Sequence, residues 1–127
     1  FYIQRLYNYY SITMGTSIFT KIINREIPAN IEYEDELAIA FQDIQPQAPI
    51  HILIVPKKEI ETLNQASIED IQLLGHCLLI AKKLAAEKKI DKSGYRIVMN
   101  CNRDAGQTVF HIHFHLLGGK ELHLNLG

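Results

Sequence analysis

Three histidines, His111, His113 and His115, alternate with apolar residues near the end of the chain. Successive side chains of a β-strand point to opposite faces, so this spacing predicts three imidazoles in one row, about 6.5–7 Å apart. The intervening apolar residues would point the other way, into a core. Imidazole can be a nucleophile, a proton donor or a metal ligand near pH 7. Three same-face positions given to histidine therefore indicate chemistry rather than packing.

The histidine row allows three interpretations that differ in the surroundings they need. A solvated histidine face is the simplest, but strict alternation of three histidines is unusual for such a face. A zinc site could use the row together with His51, although no cysteine or second motif completes a closed ligand set. The third interpretation is phosphoryl transfer through a histidine nucleophile, which needs hydrogen-bond donors around an anion.

Neutral donors lie close to the row and favour phosphoryl transfer. Gly106 opens a turn in which successive backbone N–H groups could converge on an anion. Gln107 and Thr108 follow in that turn, and Asn100 ends the preceding predicted strand. Amide and hydroxyl donors beside imidazoles suit a phosphate oxygen on which charge develops, and they do not suit a metal cation.

A small set of predicted elements must position these residues. Apolar spacing predicts a short helix over residues 17–25, ended by Pro28, and a long helix over residues 67–89 with a capping box at Ser67 and Asp70. Strand patterns cover residues 31–34, 37–42, 51–55, 95–99 and 111–117, and residues 102–106 form a turn. Mostly short loops join the strands, so we expect an α+β fold with a mainly antiparallel five-stranded sheet.

The long predicted helix carries more apolar surface than one sheet face can cover. One apolar stripe contains Ile71, Leu74, Leu78, Ala81 and Ala85, and a second contains Leu73, Cys77, Ile80 and Leu84. The surplus predicts a second partner for this helix, most simply another subunit of the same chain.

Composition narrows the class of protein. The chain has 127 residues, 13 basic and 14 acidic, so it has no field to attract nucleic acid or a membrane surface. No apolar run approaches the ~20 residues of a membrane helix. Cys77 and Cys101 are expected to be free thiols in a reducing cytoplasm.

Residues 1–13 are rich in aromatic residues and lack a clear period, so we interpret them as an extension preceding a single domain over residues 14–127.

Three segments together resemble the histidine-triad (HIT) superfamily, and within it the Hint branch of purine nucleoside phosphoramidases. They are Asp43-Ile-Gln-Pro-Gln-Ala-Pro-Ile-His51, the following Ile-Leu-Ile-Val-Pro-Lys, and residues 105–119 with the His-x-His-x-His row. The likeness runs without an evident gap from about residue 17 to residue 119. A related transferase branch carries glutamine at the position of His115, so the histidine here favours a hydrolase.

The resemblance implies a role for each histidine. His113 matches the nucleophile that attacks the α-phosphorus and forms a nucleotidyl-histidine, which water then cleaves. A backbone carbonyl near His111 would keep the other ring nitrogen of His113 protonated. His115 would bind phosphate and help to protonate the leaving amine, while His51 and His111 would support the row through hydrogen bonds.

The resemblance also implies a substrate site. Phosphate oxygens or the leaving group would contact Asn100, Gly106, Gln107, Thr108 and Val109. Asp43 would accept hydrogen bonds from the ribose hydroxyls. The purine would lie in a slot formed by Phe19, Ile22, Ile27, Phe41 and Ile44.

The implied protein is a homodimeric hydrolase that cleaves the P–N bond of adenosine or guanosine 5′-phosphoramidates without a metal or organic cofactor. Two alternatives stay open from the sequence: a dinucleoside polyphosphate hydrolase of the same superfamily, and a nucleotide-binding interaction module with incidental hydrolysis. The segment from Glu121 to Gly127 lacks the tryptophan and prolines often found there in relatives. Because this tail affects leaving-group preference in the family, the resemblance does not carry the family's preference for particular amines over to this chain.

Overall fold

Five strands form one sheet in residues 17–125, the part of the chain that the computed structural model describes. The strands are β1 (Ile31–Glu34), β2 (Ala38–Gln42), β3 (Ile50–Pro56), β4 (Tyr95–Val98) and β5 (Phe114–Gly118). Their order across the sheet is β1-β2-β3-β5-β4, and every neighbouring pair is antiparallel. The predicted α+β fold with a mainly antiparallel sheet is therefore confirmed.

The central position of β3 agrees with its nearly continuous apolar sequence. Residues on both of its faces are buried, and it pairs with β2 on one side and β5 on the other. Its register places Leu53 opposite His115. The predicted bounds of β1 are confirmed, and those of β2, β3 and β4 differ from the structure by one residue at one or both ends.

The last strand begins later than the alternating pattern predicts. We expected a strand over residues 111–117, but β5 starts at Phe114. The backbone N–H of Ile112 donates to Ile60 O at 2.7 Å, and the His111 ring bonds to Pro56 O at 2.7 Å. These bonds tie the segment before β5 to the end of β3 and the loop after it, so His111 and His113 precede the sheet ladder.

The first helix is short and its end differs from the prediction. Helix α1 spans Ile18–Ile23, and Ser17 caps it by accepting a hydrogen bond from Thr20 N. We expected it to run to residue 25, ended by Pro28. Instead Arg25 adopts a left-handed conformation with φ of 62°, which turns the chain before the proline is reached.

The long helix begins with the predicted capping box. Ser67 accepts from Glu69 N, and the Asp70 carboxylate accepts from Ser67 N at 2.9 Å. The first three residues, Ile68–Asp70, form a 3-10 turn, and helix α2 proper spans Ile71–Glu87 rather than residues 67–89. Lys89, with φ of 60°, turns the chain out of the helix.

The sheet separates two apolar clusters. Helix α2 packs with Ile112, Phe114 and Leu116 on one face, as the alternation predicted. Helix α1 packs with residues of β2 and β3 on the other. The apolar surplus of α2 is confirmed, because Ile71, Leu78 and the neighbouring Leu79 are exposed by 62, 44 and 63%.

Two remaining predictions concern the ends and the turn. The turn over residues 102–106 is confirmed as a 3-10 turn at Arg103–Ala105, closed by Gly106 with φ of 83°. Residues 1–13, interpreted as an extension, lie outside the described residues. Within residues 17–125, no helix combines the length and apolar character needed to cross a membrane.

Candidate active site

An open cavity of about 240 Å³ lies on the α1 side of the sheet. Two of the three row histidines, His113 and His115, line it, together with His51. The other lining residues are Phe19, Phe41, Gln42, Asp43, Ile44, Gln45, Gln47, Leu53, Thr108 and Val109. Nine residues predicted from the sequence to be catalytic or substrate-binding thus meet around one cavity.

His113 is held in a single tautomer by its own chain. Its Nδ1 lies 2.7 Å from the backbone carbonyl oxygen of His111, an acceptor that requires a proton on this nitrogen. The neutral ring must then carry its lone pair on Nε2. The residue is 8% exposed, and its ring packs edge-on against Phe19 at 5.0 Å between centroids.

His111 does not line the cavity but lies beneath it. Its ring is fully buried, and both nitrogens have partners: Nε2 lies 2.7 Å from Pro56 O, and Nδ1 lies 2.6 Å from Ser17 Oγ. Because Pro56 O can only accept, Nε2 carries the proton and Nδ1 accepts from the serine hydroxyl. His111 is therefore a neutral ring that positions the carbonyl bonded to His113.

His115 is held in the opposite tautomer to His113 by a second chain of hydrogen bonds. The backbone N–H of Gln47 donates to His51 Nδ1 at 3.0 Å, so the proton of His51 is on Nε2. That nitrogen lies 2.9 Å from His115 Nδ1 and 3.3 Å from Asp43 Oδ2. His115 Nδ1 is then an acceptor, and the neutral ring carries its proton on Nε2.

The two cavity histidines thus offer complementary chemistry. His113 has a lone pair on Nε2, whereas His115 has an N–H at the same ring position. Their ring centroids are 5.0 Å apart. A nucleophile and a hydrogen-bond donor at this separation can act on two sides of one small reacting centre.

Burial keeps these rings neutral. It lowers the pKa of His115 to about 4, with smaller contributions from His113 and His51. Burial also lowers the pKa of His113 against the opposing effect of its bond to His111 O. Removing imidazolium from water is unfavourable, and for His113 this effect outweighs the attraction of the Asp43 carboxylate. His113 therefore keeps a free lone pair at neutral pH.

A group that could hold a metal ion occurs among the described residues. One ligand atom each from Asp43, His51 and His115 lies within 4.8 Å of the others. The hydrogen bonds argue against a metal here, because His51 Nδ1 accepts from Gln47 N–H and its Nε2 must keep its proton. A cation would have to displace that proton and break the contact between His51 and His115.

The apolar wall of the cavity contains three of the five residues predicted for the purine slot. Phe19, Phe41 and Ile44 line the cavity, and the two phenyl rings meet edge to face at 5.4 Å. Ile22 and Ile27 do not line it. They are 1 and 4% exposed in the core cluster behind Phe19 and Phe41, where they support the wall.

The turn before the row differs from the predicted anion cradle. The backbone N–H of Gly106 donates to Arg103 O, and that of Gln107 donates to Asn102 O, so both are used inside the turn. The Gln107 side chain also bonds within this loop and to Glu61 O. Of the five residues predicted to contact phosphate oxygens or the leaving group, only Thr108 and Val109 line the cavity.

The structure places Asp43 at the cavity, as predicted, and Asn100 outside it. Asp43 lines the cavity beside His51, and its Oδ1 also accepts from Gln45 N at 2.8 Å, which closes a local turn. Each carboxylate oxygen keeps further acceptor capacity for a ligand. Asn100 is half-buried just beyond β4 and does not line the cavity.

Sequence reasoning missed several residues of the site. Gln42, Gln45, Gln47 and Leu53 line the cavity. Leu53 could be found only from the register that pairs it with His115. Ser17 was missed as well, because nothing in the sequence connects it with His111, 94 residues away.

Comparison with known proteins agrees with this geometry. Residues 24–122 match the HIT domain family. The purine nucleoside phosphoramidase of Escherichia coli (strain K12) is 54% identical over 106 residues, which cover 84% of this chain and 89% of that protein. The crystal structure of a HIT family hydrolase from Legionella pneumophila has a TM-score of 0.85 at 48% identity, covering 87% of this chain and 98% of that one.

A second solved structure has a similar fold over nearly the same part of the chain. The structure of a histidine triad protein from Clostridium difficile has a TM-score of 0.84 at 42% identity, with 88% of this chain and 96% of that one covered. The family match extends over most of the sequence, including β1 to β5 and the histidine row. The chain therefore belongs to the HIT family.

Proposed function

We propose that the protein hydrolyses the P–N bond of purine nucleoside 5′-phosphoramidates through a nucleotidyl-His113 intermediate. The observation that carries this proposal is the set of hydrogen bonds in one cavity that leaves a lone pair on His113 Nε2 and a donor on His115 Nε2. The relative named purine nucleoside phosphoramidase supports the choice of substrate class.

The first step forms the intermediate. His113 Nε2 attacks the α-phosphorus, a P–N bond to the histidine forms, and the P–N bond to the amine breaks. The departing nitrogen gains one proton from solvent, delivered beside His115, whose Nε2–H hydrogen-bonds to it. The bond from His113 Nδ1–H to His111 O stabilises the positive charge that develops on the attacking ring.

The second step restores the enzyme. Water attacks the same phosphorus, the bond to His113 Nε2 breaks, and the proton of the water returns to solvent. The products are a nucleoside monophosphate and an amine. His115, His51 and Asp43 keep their contacts throughout, because the neutral rings act by hydrogen bonding rather than by changing tautomer.

The walls of the cavity suit the other parts of a nucleotide. The apolar face at Phe19, Phe41 and Ile44 can hold a purine, and Asp43 can accept from the two ribose hydroxyls. Thr108, which also lines the cavity, can offer its hydroxyl to a phosphate oxygen. These features support a bound pose in which the α-phosphorus lies beside His113.

Turnover of adenosine and guanosine phosphoramidates by the wild type and by His113→Ala tests this mechanism. We expect kcat to fall by at least about a thousandfold in the variant, since the nucleophile is lost, while nucleoside monophosphate still binds. His76→Gln on α2 is a matched control, because His76 bonds to Asp35 away from the cavity.

Two results would overturn the proposal. One is near-wild-type turnover by His113→Ala, which would exclude the covalent route. The other is faster hydrolysis of diadenosine polyphosphates than of either phosphoramidate by the wild type, which would identify a different substrate class. Mass spectrometry of wild type quenched in denaturant at alkaline pH, where a P–N bond to histidine survives, should show a nucleotidyl adduct that His113→Ala lacks.

A further inference from the structure

We propose that Ser17 is a positioning residue for the active site, and that its hydroxyl, through His111, holds His113 in the attacking orientation. This inference rests on the proposed nucleophilic role of His113. Ser17 is 6% exposed, and its Oγ lies 2.6 Å from His111 Nδ1 across 94 residues of sequence. The contact joins the beginning of α1 to the segment that carries the histidine row.

The direction of each hydrogen bond follows from its neighbours. Ser17 Oγ accepts from Thr20 N at 3.0 Å, and it donates its single proton to His111 Nδ1 at 2.6 Å in preference to Thr20 Oγ1 at 3.5 Å. His111 Nε2 uses its proton on Pro56 O at 2.7 Å. The buried ring thus has a donor on one nitrogen and an acceptor on the other, which matches one neutral tautomer only.

A ring fixed at both nitrogens also fixes the backbone beside it. The carbonyl oxygen of His111 accepts from His113 Nδ1 at 2.7 Å, and the next residue, Ile112, bonds through its N–H to Ile60 O. Loss of the serine hydroxyl would leave His111 Nδ1 buried without its donor. The ring could then rotate or change tautomer, and the carbonyl that orients His113 would move with it.

The surroundings of His111 restrict the groups that could replace Ser17. Thr20 Oγ1 lies 3.5 Å from the same nitrogen, but its proton is donated to Glu59. Burial lowers the pKa of His111, and the opposing effects of Pro56 O and Glu59 are smaller. Ser17 is therefore the donor that completes the neutral ring.

The Ser17 hydroxyl both caps α1 and donates to His111, and variants can distinguish these two roles. Ser17→Ala removes both the cap and the donor. Ser17→Asp keeps an acceptor for Thr20 N but cannot donate to His111 when ionised. Ser17→Thr keeps both. Ser67→Ala is the matched control, because Ser67 also caps a helix but lies outside the cavity.

The experiment measures kcat and KM for an adenosine phosphoramidate across these variants. We expect Ser17→Ala and Ser17→Asp to lower kcat about tenfold or more with little change in KM, as for the loss of one buried hydrogen bond. Ser17→Thr should recover most of kcat, and Ser67→Ala should leave it unchanged. A role limited to capping would spare Ser17→Asp, and that outcome would overturn the inference.

A second measurement does not depend on turnover. Long-range 1H–15N correlation spectra of the imidazoles should show His111 protonated on Nε2 alone in the wild type and in Ser17→Thr. In Ser17→Asp the same spectra should show both nitrogens protonated. An unchanged His111 spectrum in both Ser17→Ala and Ser17→Asp would reject the role of Ser17, even where the nucleophilic role of His113 stands. An active His113→Ala variant would instead reject the nucleophilic role of His113 itself.

Discussion

His113 and His115 are the same residue type two positions apart, yet the structure gives them opposite tautomers. The difference comes from single contacts: a backbone carbonyl takes the Nδ1 proton of His113, and His51 donates to Nδ1 of His115. Burial lowers the pKa of both rings and keeps them neutral. At the scale of the residue, chemical role is therefore assigned by hydrogen-bond partners rather than by residue type.

Asp43 provides a residue-scale prediction about the sugar. We expect Asp43→Ala to raise the Kd of ribonucleoside monophosphates by roughly tenfold or more and to change that of 2′,3′-dideoxy analogues much less, because only the former lose hydrogen bonds to the diol. Isothermal titration with both ligand types measures this. Asp43→Asn is the control for the local turn, since its Oδ1 can still accept from Gln45 N. Equal losses for both ligands in Asp43→Ala, with both affinities retained in Asp43→Asn, would show that Asp43 acts only on the loop.

At the scale of the element, the short helix α1 and its cap contribute two side chains to the site. Six residues are too few for a stable isolated helix, so tertiary packing holds it. It places the Phe19 ring 5.0 Å from His113 and the Ser17 hydroxyl on His111. A short element thus supplies both a wall of the cavity and a support beneath it.

Helix α2 carries the element-scale prediction about assembly. We propose that its exposed apolar residues pack against a second copy of the chain in a homodimer. Leu79→Glu, at a position 63% exposed, should convert the dimer to monomers, because a buried unpaired carboxylate is unfavourable in such an interface. Sedimentation velocity measures the change. Leu37→Glu, at a leucine 49% exposed outside α2, is the matched control and should stay dimeric. A wild type that is monomeric at micromolar concentration would contradict the proposal.

At the scale of the whole molecule, the sheet separates support from chemistry. On the α2 side, Ile112, Phe114 and Leu116 belong to a continuous apolar core. On the α1 side, His113 and His115 line the cavity. Residues 112–116 alternate between these two sides although β5 begins only at Phe114, so one short segment serves both faces and the core on one side fixes the position of the histidines on the other.

Burial of neutral histidines predicts how stability depends on pH. An imidazole whose pKa falls from 6.5 to about 4 on folding, as in His115, binds fewer protons in the folded than in the unfolded state. The free energy of unfolding should therefore decrease as pH falls from about 6.5 towards 4, by on the order of 1–3 kcal/mol. Urea unfolding at several pH values in this window measures the loss. His115→Gln should reduce the slope, and an unchanged slope would contradict this explanation.

Local patterns were sufficient for much of the fold and the family. The capping box at Ser67 and Asp70, the bounds of β1 and the central position of β3 were predicted correctly, and the resemblance to the histidine-triad family is confirmed. Element ends were less accurate where long-range bonds decide them, as at the start of β5. Ile22 and Ile27 were expected in the purine slot, but which apolar residues line a cavity depends on packing that hydrophobicity does not encode.

The sequence by itself determined the chemistry available to this protein: imidazoles in alternation beside small polar donors, a carboxylate upstream, and the elements that carry them. Only the tertiary structure decided the roles within that set. Ser17 reaches His111 across 94 residues, and His51 reaches His115 across 64. A tautomer depends on the one atom that faces each ring nitrogen, and that atom comes from a distant segment. Local spacing can therefore place histidines on one face, but it cannot tell which nitrogen carries the proton.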